Sequence, residues 1–252
     1  MSDERLFYNI KNTSGLAKSM SEQVSREIGK NVVSGLYQPS SLIEDEGSLA
    51  TKYNVSRSVI RDAAKILVGK GLIEVRRGIG TTVLPRSRWS LLDDDILAWH
   101  LSAPLNKHLI KQLLEIRLTI EPTAVKWAVE RGTAKEIDEI KTSYKKMEEH
   151  IDSVDNYVTA DALFHKSILT ASHNEFLFAF EGVIYSSLLL SIRATNRDPK
   201  SNKKSIPFHT RILQSIIDKD SLNAEKNMRT HLEDTERRLK GLFKNKKEII
   251  FE

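Results

Sequence analysis

Apolar residues recur every four positions at Met20, Val24, Ile28 and Val32. That spacing predicts a helix over residues 19–34. Gly35 ends it, and Pro39, Ser40 and Ser41 read as a turn. A short second helix follows over 46–53, with Leu49 and Ala50 facing the core, and residues 52–55 make a tight connection. Ser56 is suited to cap a third helix running to about Lys70, because its hydroxyl can accept an orphan backbone N–H. Val59, Ala63, Ile66 and Leu67 are its inward positions. Gly71 stops it. Residues 72–77 then alternate as a strand, 78–80 turn, and 81–84 return before Pro85. Helix, short helix, turn, helix and basic hairpin, in that order, is a winged helix-turn-helix. Residues 1–17 show no clear periodicity and read as a loose arm.

Beyond Pro85 the pattern is helical throughout. Helices are expected over 94–102, 106–131, 134–153, 154–172, 175–196, 206–219 and 222–244, with 199–205 as a polar loop. Stripes such as Leu109, Leu113, Ile116 and Ile120 would hold them as a bundle. The fold class is therefore mainly α. The expected order is an N-terminal arm (1–18), a winged helix-turn-helix (19–85), a linker with an interdomain helix (86–104) and an all-α helical bundle (105–244). Lys244, Lys246 and Lys247 form a solvated end.

Charge changes the picture. All of the net +5 lies in residues 1–88, and 89–252 sum to zero. Nine basic side chains fall in 51–88 against Asp62 and Glu74, the footprint of a nucleic-acid-binding module. The longest apolar stretch, 182–192, is too short and serine-rich to span a bilayer, and residues 1–18 lack a secretory apolar core. No cysteine is present, which excludes disulfides, thiolate metal sites and cysteine nucleophiles. A cytoplasmic protein without a membrane role is expected.

Arg57 and Arg61 stand four apart on one face of the third helix, a spacing suited to bidentate contact with guanine edges in a major groove. Ser56, Ser58 and the helix N-terminus suit phosphate. Arg76, Arg77 and Gly78 at the hairpin tip suit the flanking backbone or the minor groove. Two arginines four apart also occur on ordinary solvated faces. The ordered series is more specific: Gly35-Leu36-Tyr37-Gln38-Pro39, Glu46-Gly47-Ser48-Leu49-Ala50, Tyr53-Asn54-Val55-Ser56-Arg57, Val59-Ile60-Arg61, Gly71-Leu72-Ile73, then Gly78. It resembles the DNA-binding domain of GntR-type regulators over residues 19–84. The resemblance implies base contacts by Arg57 and Arg61 and a wing tip at Gly78. Departures are Ser40 where glycine is usual, Ile43-Glu44 where Leu-Pro is usual, Gly47 where some relatives carry an arginine, and the acids Glu44, Asp45 and Glu46 near the reader.

In the bundle, Asp161 and His165 share a helix face, and His209 and His231 come from two later helices. Three imidazoles and a carboxylate converging there would suit Zn²⁺, Ni²⁺ or Mn²⁺. Residues 105–240 resemble the FCD effector domain of the fatty-acid-regulator branch, carried by Glu115, Arg117, Glu121, Asp161, His165, Asn174, His209 and His231. The resemblance implies a metal, zinc first, that anchors a small carboxylate effector. Arg117 is the candidate for the effector's carboxylate, with a salt bridge to Glu121 as the alternative; Asn174, Arg193 and Asn196 are further cavity candidates. His173 is expected to be exposed, and His100, His108 and His150 have no assigned role. Residues 88–99 resemble the matching stretch of sugar-acid repressors, galactonate-operon repressors among them. A homodimer on a pseudo-palindromic double-stranded operator follows from operator logic. The alternatives are a metal-responsive regulator and a metal-dependent enzyme; the latter lacks a candidate general base and leaves the reader unexplained.

Overall fold

A computed structural model describes residues 2–11, 19–194 and 198–245. Its elements are α1 (Asp3–Lys11), α2 (Met20–Val33), α3 (Glu46–Tyr53), α4 (Arg57–Gly69), β1 (Ile73–Arg76), β2 (Gly80–Val83), α5 (Asp94–His100), α6 (Lys107–Arg131), α7 (Ala134–Glu149), α8 (Val154–Ala171), α9 (Glu175–Phe178), α10 (Glu181–Ala194), α11 (Lys200–Ile217) and α12 (Ser221–Asn245). The described residues form two compact units. One holds residues 19–104 and the other holds α1 with everything from Leu105 onward.

In the first unit Ser56 caps its helix as expected, and two further caps act beside it. Ser19 caps α2 in a capping box with Glu22, Asp45 caps α3, and Ser56 caps α4 by accepting from the Val59 N–H. β1 and β2 pair antiparallel with Ile73 opposite Val83 and Arg76 opposite Gly80, each strand lying within a residue or so of the expected bounds. One inward position is corrected: Met20 at the start of α2 is exposed. Ile60, 2% exposed, joins the core beside Val59, which is partly buried against it. Ser40, the departure from the usual glycine, has φ +68°. A side chain pays a steric cost in that region, which is why glycine is the ordinary residue there.

α5 was expected to lie in a linker, yet its residues sit in the core of this unit. Ile96, Trp99 and Ala103 cluster with Val24, Ile28 and Leu67. Lys70 reinforces the seam, its Nζ 2.8 Å from Asp93 and 2.9 Å from Asp95, over the Trp99 ring. Gly29 in α2 makes the approach possible: a Cβ there would lie 2.2 Å from the Trp99 ring.

The second unit is all-α. α6 packs on α12, α8 and α10, α7 on α8 and α11, and α11 on α12. The apolar run of α10 is buried from Val183 to Leu190. Three expectations are corrected here. The arm is not loose where it is described: residues 3–11 form a helix. Nine residues are too few to hold a helix alone in water, so its stability comes from packing, with Leu6 and Phe7 buried. The 175–196 segment breaks into α9 and α10, which puts the Glu181 carboxylate in the favourable first turn of a helix. The polar run 199–205 is the first two turns of α11 rather than a loop. Asn202 and Ser205 are buried, and the Asn202 amide donates to the Ile151 carbonyl at 3.0 Å. Residues 195–197 and 246–252, which include Asn196, Lys246 and Lys247, lie outside the described residues.

Replacing Gly29 with Ala is expected to destabilise the protein by about 1–3 kcal/mol, because Trp99 must leave its position. Helix propensity alone favours Ala by about 0.5–1 kcal/mol. Urea unfolding decides between them, and a stabilised Gly29→Ala variant would refute the close approach.

Candidate DNA interface and sensor cavity

The N-terminus of α4 presents Ser56, Arg57, Ser58 and Arg61 to solvent. Arg57 leans over Gly47, its Nη2 3.1 Å from where a Cβ would stand, so the space above α3 that a larger residue would claim belongs to Arg57. The three acids beside the reader have separate roles. Glu44 accepts from Tyr37 and Lys52; burial pushes its pKa up, but the hydrogen bonds from Lys52 and Tyr37 outweigh it and hold the carboxyl below its ordinary value. Asp45 accepts from the Gly47 and Ser48 amides and the Ser48 hydroxyl. Glu46 alone engages the reader, with its carboxylate 2.9 and 3.1 Å from Arg61 Nε. At the wing, Gly78 has φ +80° with open space around it, Arg77 is exposed, and Arg76 pairs with Glu74 at 3.0 Å.

The second unit brings all four expected ligands together in its core. Asp161 and His165 stand one turn apart on α8, His209 is on α11 and His231 on α12; all four are 5% exposed or less. One nitrogen from each histidine lies within 4.8 Å of the others. Asp161 Oδ1 is 3.0 Å from His209 Nε2 and 3.3 Å from His165 Nε2. Two neighbours fix the ring orientations. His209 Nδ1 donates to the Ser205 carbonyl at 3.1 Å, which turns Nε2 toward Asp161, and His165 Nδ1 lies 2.5 Å from Glu121 Oε2. Phe164 packs edge-on against His165 and His209.

Charge is balanced tightly around these groups. Burial disfavours the charged form of Glu121, but Arg117 and His165 outweigh it and hold the carboxyl near 2. Burial likewise opposes protonation of His165, and Glu121 with Asp161 overcomes it, raising the imidazole to about 9. His231 is pushed well below its ordinary value by burial and then by the other imidazoles, so it is neutral. Arg117, 1% exposed, bonds Glu121 Oε1 through Nε at 2.5 Å and reaches His165 Nε2 at 3.4 Å.

Against this cluster lies a cavity of about 60 Å³, lined by Arg117, Asp161 and His231 together with Tyr157, Asn202 and Arg238. Ser191 of α10, Ser201 and Ser205 of α11, and Thr235 of α12 add hydroxyls to its wall. Arg117 thus keeps both of the partners left open by the sequence, the Glu121 carboxylate and the cavity. Two expected positions fall elsewhere. The Asn174 side chain caps α9 by accepting from Phe176 and Leu177, and Arg193, half-buried in the last turn of α10, is absent from the lining. Glu115 is exposed, and exposed His173 pairs with Glu136 at 2.9 Å. His100 is buried beside Arg86, and burial, then that guanidinium, hold it near 3, hence neutral. Tyr157, Thr235 and Arg238 had a readable signal: Tyr157 is one turn before Asp161, and the other two follow His231 by one and two turns.

A winged helix-turn-helix with a basic reader, joined to a helical unit with a cavity beside a buried histidine cluster, defines a ligand-responsive class of DNA-binding transcription regulator rather than an enzyme. Residues 20–83 match the bacterial regulatory proteins of the gntR family, and 112–234 match the FCD domain. The chain belongs to the GntR family, in its branch with an FCD sensor. It is 30% identical over 217 residues to the galactonate operon transcriptional repressor of Escherichia coli K12, covering 85% of this chain and 94% of that protein. It is 25% identical over 227 residues to the Glc operon transcriptional activator of the same strain, covering 86% and 88%. Among solved structures it is similar to Lar, which controls expression of the Listeria monocytogenes agr system. The TM-score is 0.64 at 15% identity, over 92% of this chain and all of that one, a likeness of fold.

Glu46→Gln is expected to tighten binding to a random-sequence duplex by up to about fivefold, the range of an exposed ion pair that competes with phosphate. Fluorescence anisotropy across a salt series measures this. Weaker binding by the variant would mean that Glu46 aims Arg61 rather than competing for it.

Proposed function

We propose that the protein is a repressor of a sugar-acid catabolic operon, released when a small sugar acid enters the sensor and binds a divalent ion held by Asp161, His165, His209 and His231. The observation that carries this reading is the state of the donors. Asp161 Oδ1, His209 Nε2 and His231 Nδ1 are buried and make no hydrogen bond, although they crowd toward one another. Buried polar atoms are rarely left so. Donors ~2 Å from a tetrahedral ion stand about 3.3 Å from each other, and the 3.0 and 3.3 Å separations at Asp161 match that spacing. Nitrogen and carboxylate donors without sulfur suit zinc first, with nickel and manganese as alternatives.

When bound, the ion supplies a Lewis-acid anchor for a carboxylate. The protein's own residues do the rest. Glu121 and the Ser205 carbonyl hold the imidazoles in register, as outer-shell partners of metal ligands do. Arg117 and Arg238 offer guanidinium donors at the cavity wall, and the serine and threonine hydroxyls, Tyr157 and Asn202 offer hydrogen bonds to a polyhydroxylated chain. The name of the galactonate operon repressor makes galactonate the first candidate. Repression is preferred over activation on the same relative, although the Glc operon relative is an activator. Each chain carries one reader, so a pseudo-palindromic operator calls for a homodimer in the cytoplasm, with Arg57 and Arg61 reading guanines and the wing arginines on phosphate.

Thermal unfolding with a sugar-acid panel tests the reading. D-galactonate at 100 times Kd is expected to add about 2.7 kcal/mol, or roughly 5–11 °C, to the zinc-loaded protein. The gain should vanish with EDTA and in Asp161→Ala. A response to zinc with no response to any acid would make the ion itself the signal.

Zinc affinity should also climb with pH. His165 titrates near 9, so below that pH its Nε2 carries a proton that a ligand must lose, costing about tenfold in apparent affinity per unit of acidification. His231 is already neutral and adds no proton in this range. Calorimetric titrations between pH 6 and 8 that give one constant affinity would remove His165 from the ligand set.

A further inference from the structure

The sensor unit is discontinuous in sequence. It contains α1 as well as everything from Leu105 onward, so the reader is an insertion within it, attached at both ends. α1 is seated rather than merely adjacent. Phe7 is fully buried and meets Tyr185 of α10 edge-on with centroids 6.3 Å apart, and Leu6 and Glu4 are buried with it. Lys11, at the C-terminal end of the helix, reaches Glu181 of α10 at 2.6 Å with both side chains nearly buried. Glu181 also receives the Tyr185 hydroxyl and stands 3.5 Å from Lys166 of α8. The seat is therefore made by α8 and α10.

Those two helices also wall the cavity. α8 supplies Tyr157 and Asp161, and α10 supplies Leu188, Ser191 and Ile192, beginning one turn beyond Tyr185. The cavity of about 60 Å³ has room for roughly five waters at 10–15 Å³ each. A ligand bound there would bear directly on both wall helices and can shift them. A close-packed interior passes such a shift to whatever rests on its far side.

We infer that α1 is a second coupling element between sensor and reader: a docked helix whose seat on α8 and α10 responds to occupancy of the cavity, so that ligand is signalled through the N-terminal attachment as well as through the chain leading into α6. Residues 12–18 join α1 to the reader, and a seven-residue connection spans at most about 25 Å. Whether α1 is docked or released therefore sets how far the reader can travel. The identity of the ligand rests on the sugar-acid reading; the coupling does not.

Two measurements separate those claims. The first compares wild type with Phe7→Ala, both zinc-loaded, on an operator selected from random duplexes by the wild type. D-galactonate should weaken operator binding of wild type by about 5–150-fold. In Phe7→Ala the ligand-free affinity and the thermal shift with galactonate should persist, while the ligand-induced loss of affinity falls below about threefold on the same scale. A variant that keeps the full loss overturns the inference.

The second measurement needs no effector. The native chain has no cysteine, so Leu6→Cys places one reporter thiol in the α1 seat. Its labelling should be slow with zinc, which orders α8, and at least about tenfold faster in EDTA, as expected where local opening is coupled to a bound site. Equal rates in zinc and EDTA overturn the coupling. If wild type answers no sugar acid but the thiol still answers zinc, the ligand assignment fails and the α1 coupling stands.

Discussion

A carboxylate removed from water costs several kcal/mol unless it is paired or bound to a cation. Asp161 is such a carboxylate, placed at the meeting point of α8, α11 and α12 with three imidazoles around it. Much of the sensor can be understood as meeting that cost. Glu121 and Arg117 on α6 neutralise one another and together orient His165. The Ser205 carbonyl orients His209, and Phe164 seals the side away from the cavity. Four helices must stay in register for these contacts to coexist, so the polar centre specifies the packing of the bundle as much as its apolar stripes do. The same balance leaves His165 charged and His231 neutral in the metal-free protein, two imidazoles of one cluster in different states because only one faces Glu121.

The reader shows a milder form of the same constraint. Its acids are not spread evenly over the surface but assigned: Asp45 to a helix cap, Glu44 to Lys52 and Tyr37, Glu46 to Arg61. An arginine held by a carboxylate must exchange that partner for a base or phosphate on binding. Such an exchange lowers affinity for any duplex, while a guanine's paired acceptors restore it at the right site. Gly47 adds to this by leaving room for Arg57 to lie across α3.

How much of this was legible in the sequence depended on how local each signal was. The cap at Ser56, the 35–41 turn and the basic hairpin are set by neighbouring residues, so the reader could be drawn within a residue or two. Asp161 and His165 share one helix face and were equally plain. The pairing of His209 with His231 depends on two helices meeting in space; the residues suggested it and the family resemblance strengthened it. The run at the start of α11 read as a loop because its residues are polar; what makes it helical is the burial of Asn202 and Ser205 against the bundle, a tertiary effect. That error hid the hydroxyls of one cavity wall. The helix α1 was invisible for a related reason, since nine residues with two core side chains carry no periodicity that outlasts noise, and the seat that stabilises them is built from residues more than 150 positions away.

Those two blind spots coincide with the parts that distinguish this chain as a device rather than as a fold. Linkage requires that whatever the effector does to the reader, the operator does in reverse to the effector site. A sensor that touches its reader through one connection can satisfy this only by moving that connection. A sensor that encloses its reader in sequence has a further degree of freedom, the docking of α1, and it lies on helices that also wall the cavity. The docking energy need not be large: a shift of 1.4 kcal/mol between docked and released states changes their ratio about tenfold, within the range of typical coupling energies. A seat that was much stronger would hold α1 through ligand binding and transmit nothing. One Phe, one Leu and one ion pair, seated on the two helices that wall the cavity, set a contact weak enough to be contested and specific enough to return.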